Sequence, residues 1–196
     1  MAPRAIDPAT LLRAYASGIF PMAMDDGRIG WFSPDPRGIL PLDGFHIPHG
    51  LKRTMRKNPF EIRVDTAFAY VVEGCADREE TWIDETIFQS YLELHRLGFA
   101  HSVEAWRDGR LVGGLYGVAL RGVFCGESMF SEQTDASKVC LVHLVGRLRA
   151  GGYVLLDTQW TTPHLLTFGA MDISRDEYMD RLEQAMEVEA AWDGGQ

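Results

Sequence analysis

The 196-residue chain reads as a mixed α/β (α+β) protein with a largely antiparallel sheet. Three observations carry that reading. The stretch "AHSVEAWRDGRLVGGLYGVALRGVFCGESMF", residues 100–130, follows a strand pattern broken by two turn dipeptides, Asp108-Gly109 and Arg121-Gly122. Segments with helix-type starts and stops flank it on both sides. The first 60 residues differ in composition, with Pro21, Pro34, Pro36 and Pro41 beside Phe20, Trp31 and Phe32. The expected organisation is a small N-terminal domain, 1–60, and a larger domain, 61–196.

Each element has a local reason. "DPATLLRAYASG" is a helix that Asp7 caps, Pro8 opens and Gly18 stops. The proline-rich part lacks N–H groups for regular pairing, so it is expected to be irregular but packed through its aromatics. "HGLKRTMRKNP" places Lys52, Arg53, Arg56 and Lys57 at spacings of one, three and four, which gives a helix one basic face. "DTAFAYVVEGC" and "DETIFQSYLELHRLG" are helices with Asp65 and Asp84 as caps; Gly98 stops the second. After the meander, "DASKVCLVHLVGRLRAGG" is a helix capped by Asp135 or Ser137 and stopped by Gly151. Strand "YVLLDTQ" comes after it. The last helix, "SRDEYMDRLEQAMEVE", opens with a Ser174/Glu177 capping box. This order is compatible with the acyltransferase architecture called GNAT-like, and order alone says little about function.

Bulk properties exclude some classes. No apolar run approaches the ~18 residues of a membrane span. "MAPRAIDPAT" has no apolar leader core, and Cys75, Cys125 and Cys140 are odd in number with no CxxC spacing, so a cytoplasmic protein with reduced thiols is expected. The net charge of −9 argues against a general nucleic-acid binder. Its distribution is uneven: residues 1–60 hold eight Lys/Arg against five Asp/Glu, and the rest 11 against 23. A basic front is either one local contact for a polyanion or an ordinary solvated face.

No metal spacing, phosphate loop or GxSxG elbow is present, so chemistry must come from positioned polar groups. Glu127, in "FCGESMFS", anchors an amine or ribose hydroxyl, or else partners a helix start or a nearby Arg. Strand alternation puts Asp157 and Gln159 on one face and Leu156 on the other. The aspartate is a cap for the next helix, or the pair does chemistry: a Gln oxygen orients an amine by accepting its hydrogen bond, and a carboxylate behind it strengthens that role.

The segments "AYASGIFPM", "WFSPDPRGIL", "EGCADREETWI", "LHRLGFAHSVEAW", "LVGGLYGV", "FCGESMFS", "ASK", "LLDTQ" and "PHLLTFGAMDISRDEY" occur in that order. Together they resemble the bacterial leucyl/phenylalanyl-tRNA–protein transferases from about Leu11 to Leu182. The resemblance implies transfer of Leu or Phe, and less readily Met, from aminoacyl-tRNA to the α-amino group of a protein beginning with Arg or Lys, marking it for proteolysis. It implies a GNAT-like domain behind a small N-terminal one, and no metal or coenzyme; a monomer is expected. On matching positions it implies Asp157, Gln159 and Glu127 as catalytic residues. It implies Leu115, Met129, Leu141, Leu148 and Leu156 as the pocket for the aminoacyl side chain. Leu156 in that pocket requires a bulge or curved wall beside Asp157. Trp82 would stack the terminal adenosine, helped by Trp31, because Met22 stands where the family often has Trp. Thr162 replaces a common Asn. Lys52, Arg53, Arg56 and Lys57 would touch acceptor-stem phosphates. The alternatives are an acetyl-CoA-dependent acyltransferase, disfavoured because no RxxGxG/A precedes "ASKVCL", and a noncatalytic RNA or N-terminus binder.

Overall fold

The structure is a computed structural model that describes residues 5–193. Residues 1–4, at the front of the stretch read as leaderless, and 194–196, the end of the second expected domain, lie outside the described residues.

Helix α1 (Pro8–Ala16) is capped as expected, with Asp7 accepting from Thr10 N. The proline-rich front departs from expectation. It forms a hairpin of β1 (Phe20–Ala23) and β2 (Ile29–Phe32), then β3 (Arg37–Ile39). Its prolines sit where ladder donors are not needed: Pro21 on a two-stranded ribbon, Pro34 and Pro36 between strands. Strand β3 runs inside the large sheet, so that sheet draws on chain both before and after residue 60.

Helix α2 (His49–Lys57) comes next, then β4 (Glu61–Val64), which composition did not mark. Helices α3 (Phe68–Ala76) and α4 (Glu85–Arg96) lie beyond it in the chain. Asp84 caps α4 by accepting from Ile87 N at 2.8 Å. Asp65 does not cap α3; its carboxylate instead receives Ser102 N, His101 and the Trp192 indole. The donors at the start of α3 go to buried Glu104, which accepts from Thr66 N and Ala67 N at 2.9 and 2.8 Å. A tertiary carboxylate thus replaces the local cap.

The meander is β5 (Ala100–Arg107), β6 (Arg110–Leu120) and β7 (Val123–Ser131), with Asp108 and Gly109 both at positive φ as a tight hairpin turn requires. Helix α5 (Ala136–Ala150) crosses back to β8 (Leu155–Gln159), which lies parallel to β7. Asp135 makes no cap bond; it holds Thr54 of α2 and Lys138, while Ser131 Oγ receives Ser137 N. Short helix α6 (Pro163–Leu166), strand β9 (Met171–Ile173) and helix α7 (Arg175–Met186) complete the chain.

The seven-stranded sheet runs β4-β5-β6-β7-β8-β3-β9, antiparallel except at β7-β8. Helices α2 and α5 pack on one face around Leu115, Phe124, Leu144 and Leu156. Helices α1, α3, α4 and α7 cover the other around Tyr15, Val71, Tyr91, Tyr116 and Tyr178. The meander, crossover helix and parallel strand give the expected acyltransferase-like arrangement. Among the described residues, no helix is long and apolar enough to cross a membrane, and Cys75, Cys125 and Cys140 are buried free thiols.

Candidate active site

Strands β7 and β8 pair only from Val123↔Leu155 to Cys125↔Asp157. Beyond that they separate, and residues 126–129 and 158–160 line an open cavity of about 270 Å³. Each arm carries a bulge. On β7, Tyr116 pairs with Ser128 and Gly117 with Gly126, so Glu127 is the extra residue. On β8, Gly38 pairs with Gln159 and Ile39 with Asp157, so Thr158 is extra. A bulge re-aims side chains that alternation would send elsewhere.

The second bulge changes the expected facing of Asp157 and Gln159. Leu156, Thr158 and Gln159 line the cavity, and Asp157 does not. Gln159 has φ +59, which ends the alternation and swings its side chain to the cavity arm. Gly38 permits this, because a Cβ there would sit 2.5 Å from the Trp160 carbonyl carbon.

Asp157 points the other way and is fully buried. Its Oδ1 accepts from Arg37 Nε and Gln159 N, both at 2.9 Å; its Oδ2 accepts from Arg37 Nη2 at 2.6 Å and Tyr178 OH at 3.0 Å. Arg37 is also buried, donates to the Gly18 carbonyl at 2.9 Å, and lies 4.3 Å from the Tyr178 ring centroid. This forked pair fixes the end of β8 from behind.

Glu127 forms the other polar centre. Tyr15 OH donates to Oε1 at 2.7 Å and Tyr91 OH to Oε2 at 2.8 Å, and the two phenols touch at 2.5 Å. Gln159 Nε2 donates to Oε1 at 3.1 Å. That bond fixes the amide, and its carbonyl oxygen has no hydrogen-bond donor among the described residues. Burial pushes the Glu127 carboxyl up to about 7; the tyrosine hydrogen bonds pull against it, Asp157 adds to it and Arg37 opposes it.

Leu115, Met129, Leu141 and Leu156 lie on the apolar wall of the cavity. Leu148 is a correction: it is fully buried in the core and does not line the cavity. It stands two helical turns past Leu141, about 10 Å along α5. Leu144, one turn past Leu141, takes the place.

Trp82 lines the cavity. Trp31 does not. It pairs with Pro21 in the hairpin, whereas Phe20 and Met22, on the opposite face, reach the cavity. Cross-strand partners share a face, so Trp31 is turned away. Trp160, half-exposed and edge-on to Phe20 at 5.2 Å, is the second indole on the rim. Thr162 caps α6 by accepting from Leu165 N at 3.2 Å. Arg78 on the rim donates to Ser128 Oγ at 3.1 Å and to the Met129 carbonyl.

Lys52, Arg53, Arg56 and Lys57 are carried on the largely exposed α2. None has an acidic partner within 4 Å among the described residues. Thr54 ties α2 to Asp135 at 2.8 Å, beside Lys138 and near the cavity residue His164. Among the described residues, no three His, Cys, Asp or Glu gather as a metal site would.

Sequence reasoning missed Arg37, Tyr15, Tyr91, Tyr178, Leu144 and Trp160. Arg37 had a usable signal: a strand-end aspartate needs a cation, and "SPDPR" supplied one.

The sequence model of the family described as Leucyl/phenylalanyl-tRNA protein transferase matches residues 39–183, and that of its N-terminal domain matches 4–35. The chain is 60% identical to the Leucyl/phenylalanyl-tRNA--protein transferase of Paramagnetospirillum magneticum, covering 93% of this chain and 90% of that one. It is 53% identical to that of Salinibacter ruber over 97% and 84%, and 55% to that of Herpetosiphon aurantiacus over 95% and 98%. The solved structure of L-PGS from Bacillus licheniformis is a remote likeness, with 12% identity and a TM-score of 0.43 over 79% of this chain and 50% of that one. The chain belongs to the leucyl/phenylalanyl-tRNA protein transferase family and is therefore an aminoacyltransferase.

Proposed function

We propose that the protein joins Leu or Phe, and less readily Met, from aminoacyl-tRNA to the α-amino group of proteins that begin with Arg or Lys. The observation that carries this is Gln159: its NH₂ is held by Glu127, and its carbonyl oxygen has no partner among the described residues, at a cavity whose wall is apolar. In the proposed step the acceptor nitrogen attacks the ester carbonyl carbon. An N–C bond forms, the C–O bond to the ribose breaks, and the amine proton ends on the leaving ribose oxygen. The ester is already activated, so alignment at about 3 Å is the main requirement. Gln159 accepts an amine N–H and aims the nitrogen lone pair. Glu127 fixes Gln159. Asp157, with Arg37, fixes the strand end that carries Gln159.

Leu115, Met129, Leu141, Leu144 and Leu156 would receive the aminoacyl side chain; Met129 adapts to Leu or Phe. Trp82 would stack the terminal adenine, since any base face stacks on an indole. The four cations of α2 would hold phosphates, which position without reading sequence. The product would carry Leu or Phe at its N-terminus and be marked for degradation. On this reading the enzyme works in the cytoplasm as a monomer without coenzyme or metal, built as a small N-terminal domain of about 60 residues and a catalytic domain.

The test is transfer of label from Phe-tRNA to peptides beginning with Arg, Lys or Ala. Label is expected on the Arg and Lys peptides alone. Equal labelling of all three would remove the acceptor preference, and transfer from acetyl-CoA in place of Phe-tRNA would overturn the reading.

A further inference from the structure

Three buried side-chain polar atoms lack a hydrogen-bond partner among the described residues: Tyr116 Oη, Thr158 Oγ1 and His164 Nε2. All three residues line the cavity. Buried polar groups are nearly always paired, so an unpaired one calls for an explanation, and three on one cavity call for a common one.

We propose that these atoms are left unpaired to receive the polar groups of a ribose-linked aminoacyl ester, with Tyr116 accepting an N–H of the donor's α-amine beside Glu127. The proposal rests on the aminoacyl-tRNA donor proposed for the cavity. Tyr116 has no exposed surface, and its ring is held edge-on by Tyr91 at 5.4 Å and Phe68 at 5.8 Å. It pairs with Ser128, next to the bulged Glu127. The hydroxyls of Tyr15 and Tyr91 are both taken up by Glu127, and that of Tyr116 is not. An amine brings several N–H donors to a wall that otherwise offers it a carboxylate and a free phenol oxygen. Thr158 is the bulged residue of the opposite arm. His164 sits against Phe168, toward the Asp135–Lys138 pair and α2. Burial, and then Lys138, keep it below its usual proton affinity. A neutral imidazole has one N–H and one lone pair, which suits a ribose hydroxyl that both donates and accepts.

The test uses two probes: an amide-linked phenylalanyl-adenosine, and the same molecule without its α-amine. In Tyr116→Phe, the Kd for the amine-bearing probe is expected to rise about tenfold, as for a lost hydrogen bond to a charged or polar amine. The Kd for the other probe should not change. The Tm of the free protein should stay level or rise, because an unpaired group has been removed. Thr158→Val should likewise weaken the probes without lowering Tm. Equal weakening of both probes by Tyr116→Phe overturns the amine contact. A lower Tm with unchanged Kd makes the hydroxyl structural and also overturns it. If the wild type binds neither probe, the donor reading itself falls; if it binds both and the variant discriminates neither, only the role of Tyr116 falls.

Discussion

The two sides of β8 are built oppositely. Behind the strand, Asp157 accepts four hydrogen bonds, two from a buried guanidinium that also has a carbonyl and an aromatic face as neighbours. In front, Thr158 keeps an oxygen without a partner among the described residues. Gln159 is held at the cavity only through its Nε2 and backbone N–H among the described residues, and Glu127 holds its proton more tightly than an ordinary glutamate. The back is satisfied and rigid; the front is preorganised and unsatisfied. Two residues apart in sequence, Asp157 and Gln159 separate support from contact. The bulge at Thr158 makes that separation possible.

The strongest way to break the comparison is Asp157→Ala. It leaves the buried Arg37 charge unpaired, which costs about 3–5 kcal/mol. For a chain of this size that lowers Tm by on the order of 10 °C. Replacing both partners with apolar residues, Arg37→Met with Asp157→Leu, should be less destabilising than either single change. Denaturant unfolding measures all three. A loss below about 1 kcal/mol for Asp157→Ala, within the range of a surface pair, would mean the back of the strand is not its support.

Glu127→Gln attacks the front. Transfer is expected to fall about 10²–10³-fold, as when a positioned acid–base or anchoring group is lost, with little change in Tm. The pH dependence separates this from a packing defect. The Glu127 carboxyl rises from 4.5 unfolded to about 7 folded, mainly through burial. The folded protein therefore binds that proton more tightly. The stability it contributes is fully present below the unfolded value and lost as pH rises through about 7. Glu127→Gln should flatten that part of the stability profile. In the wild type, transfer should rise with pH through the same region, because only the carboxylate accepts from both tyrosines and the Gln159 amide at once. A stability profile unchanged by the substitution would place the titration elsewhere.

The same division governs how much of the molecule was legible in the sequence. The meander, α1, α4, α5 and α7 were legible because local chemistry positions them: Asp7 and Asp84 cap, and Asp108-Gly109 turns. The residues Asp157, Gln159 and Glu127 were legible as unusual polar groups at strand ends. Their facing was not, because a period-2 argument cannot detect a bulge. Nor could spacing reveal that Glu104 takes the capping work expected of Asp65 across 38 positions of sequence, or that β3 leaves the proline-rich front to sit between β8 and β9. Such pairings are tertiary. Leu148 failed for a geometric reason: it shares a helix face with Leu141 but lies beyond the cavity's reach along the axis.

That pair of leucine positions sharpens the comparison at the next level of effect. Leu148→Ala should cost about 2–3 kcal/mol through a core cavity and leave the Leu-to-Phe donor ratio unchanged. Leu144→Ala enlarges the cavity wall, and should shift the ratio toward Phe. Competition between Leu-tRNA and Phe-tRNA reads this directly. An altered ratio in Leu148→Ala would show that the front of the strand extends deeper along α5 than its lining residues indicate.

The smallest effect on folding, and the one farthest from β8, comes from α2. Its four cations have no acidic partners among the described residues, so little stability depends on them. Arg53→Glu with Arg56→Glu should change unfolding by no more than about 0.5 kcal/mol, as for ordinary surface positions. Binding of tRNA should weaken, and the slope of log K against log[salt] should flatten by about 1.5, since each lost phosphate contact removes roughly 0.7–0.9. Reaction with a minimal aminoacyl-adenosine donor, which lacks those phosphates, should proceed at the wild-type rate. The contrast between donors is the decisive part. Loss of rate with both would tie α2 to the cavity through the Thr54–Asp135 bond. Loss with tRNA alone places α2 outside the chemistry, as a handhold for the tRNA phosphates that lie beyond the cavity.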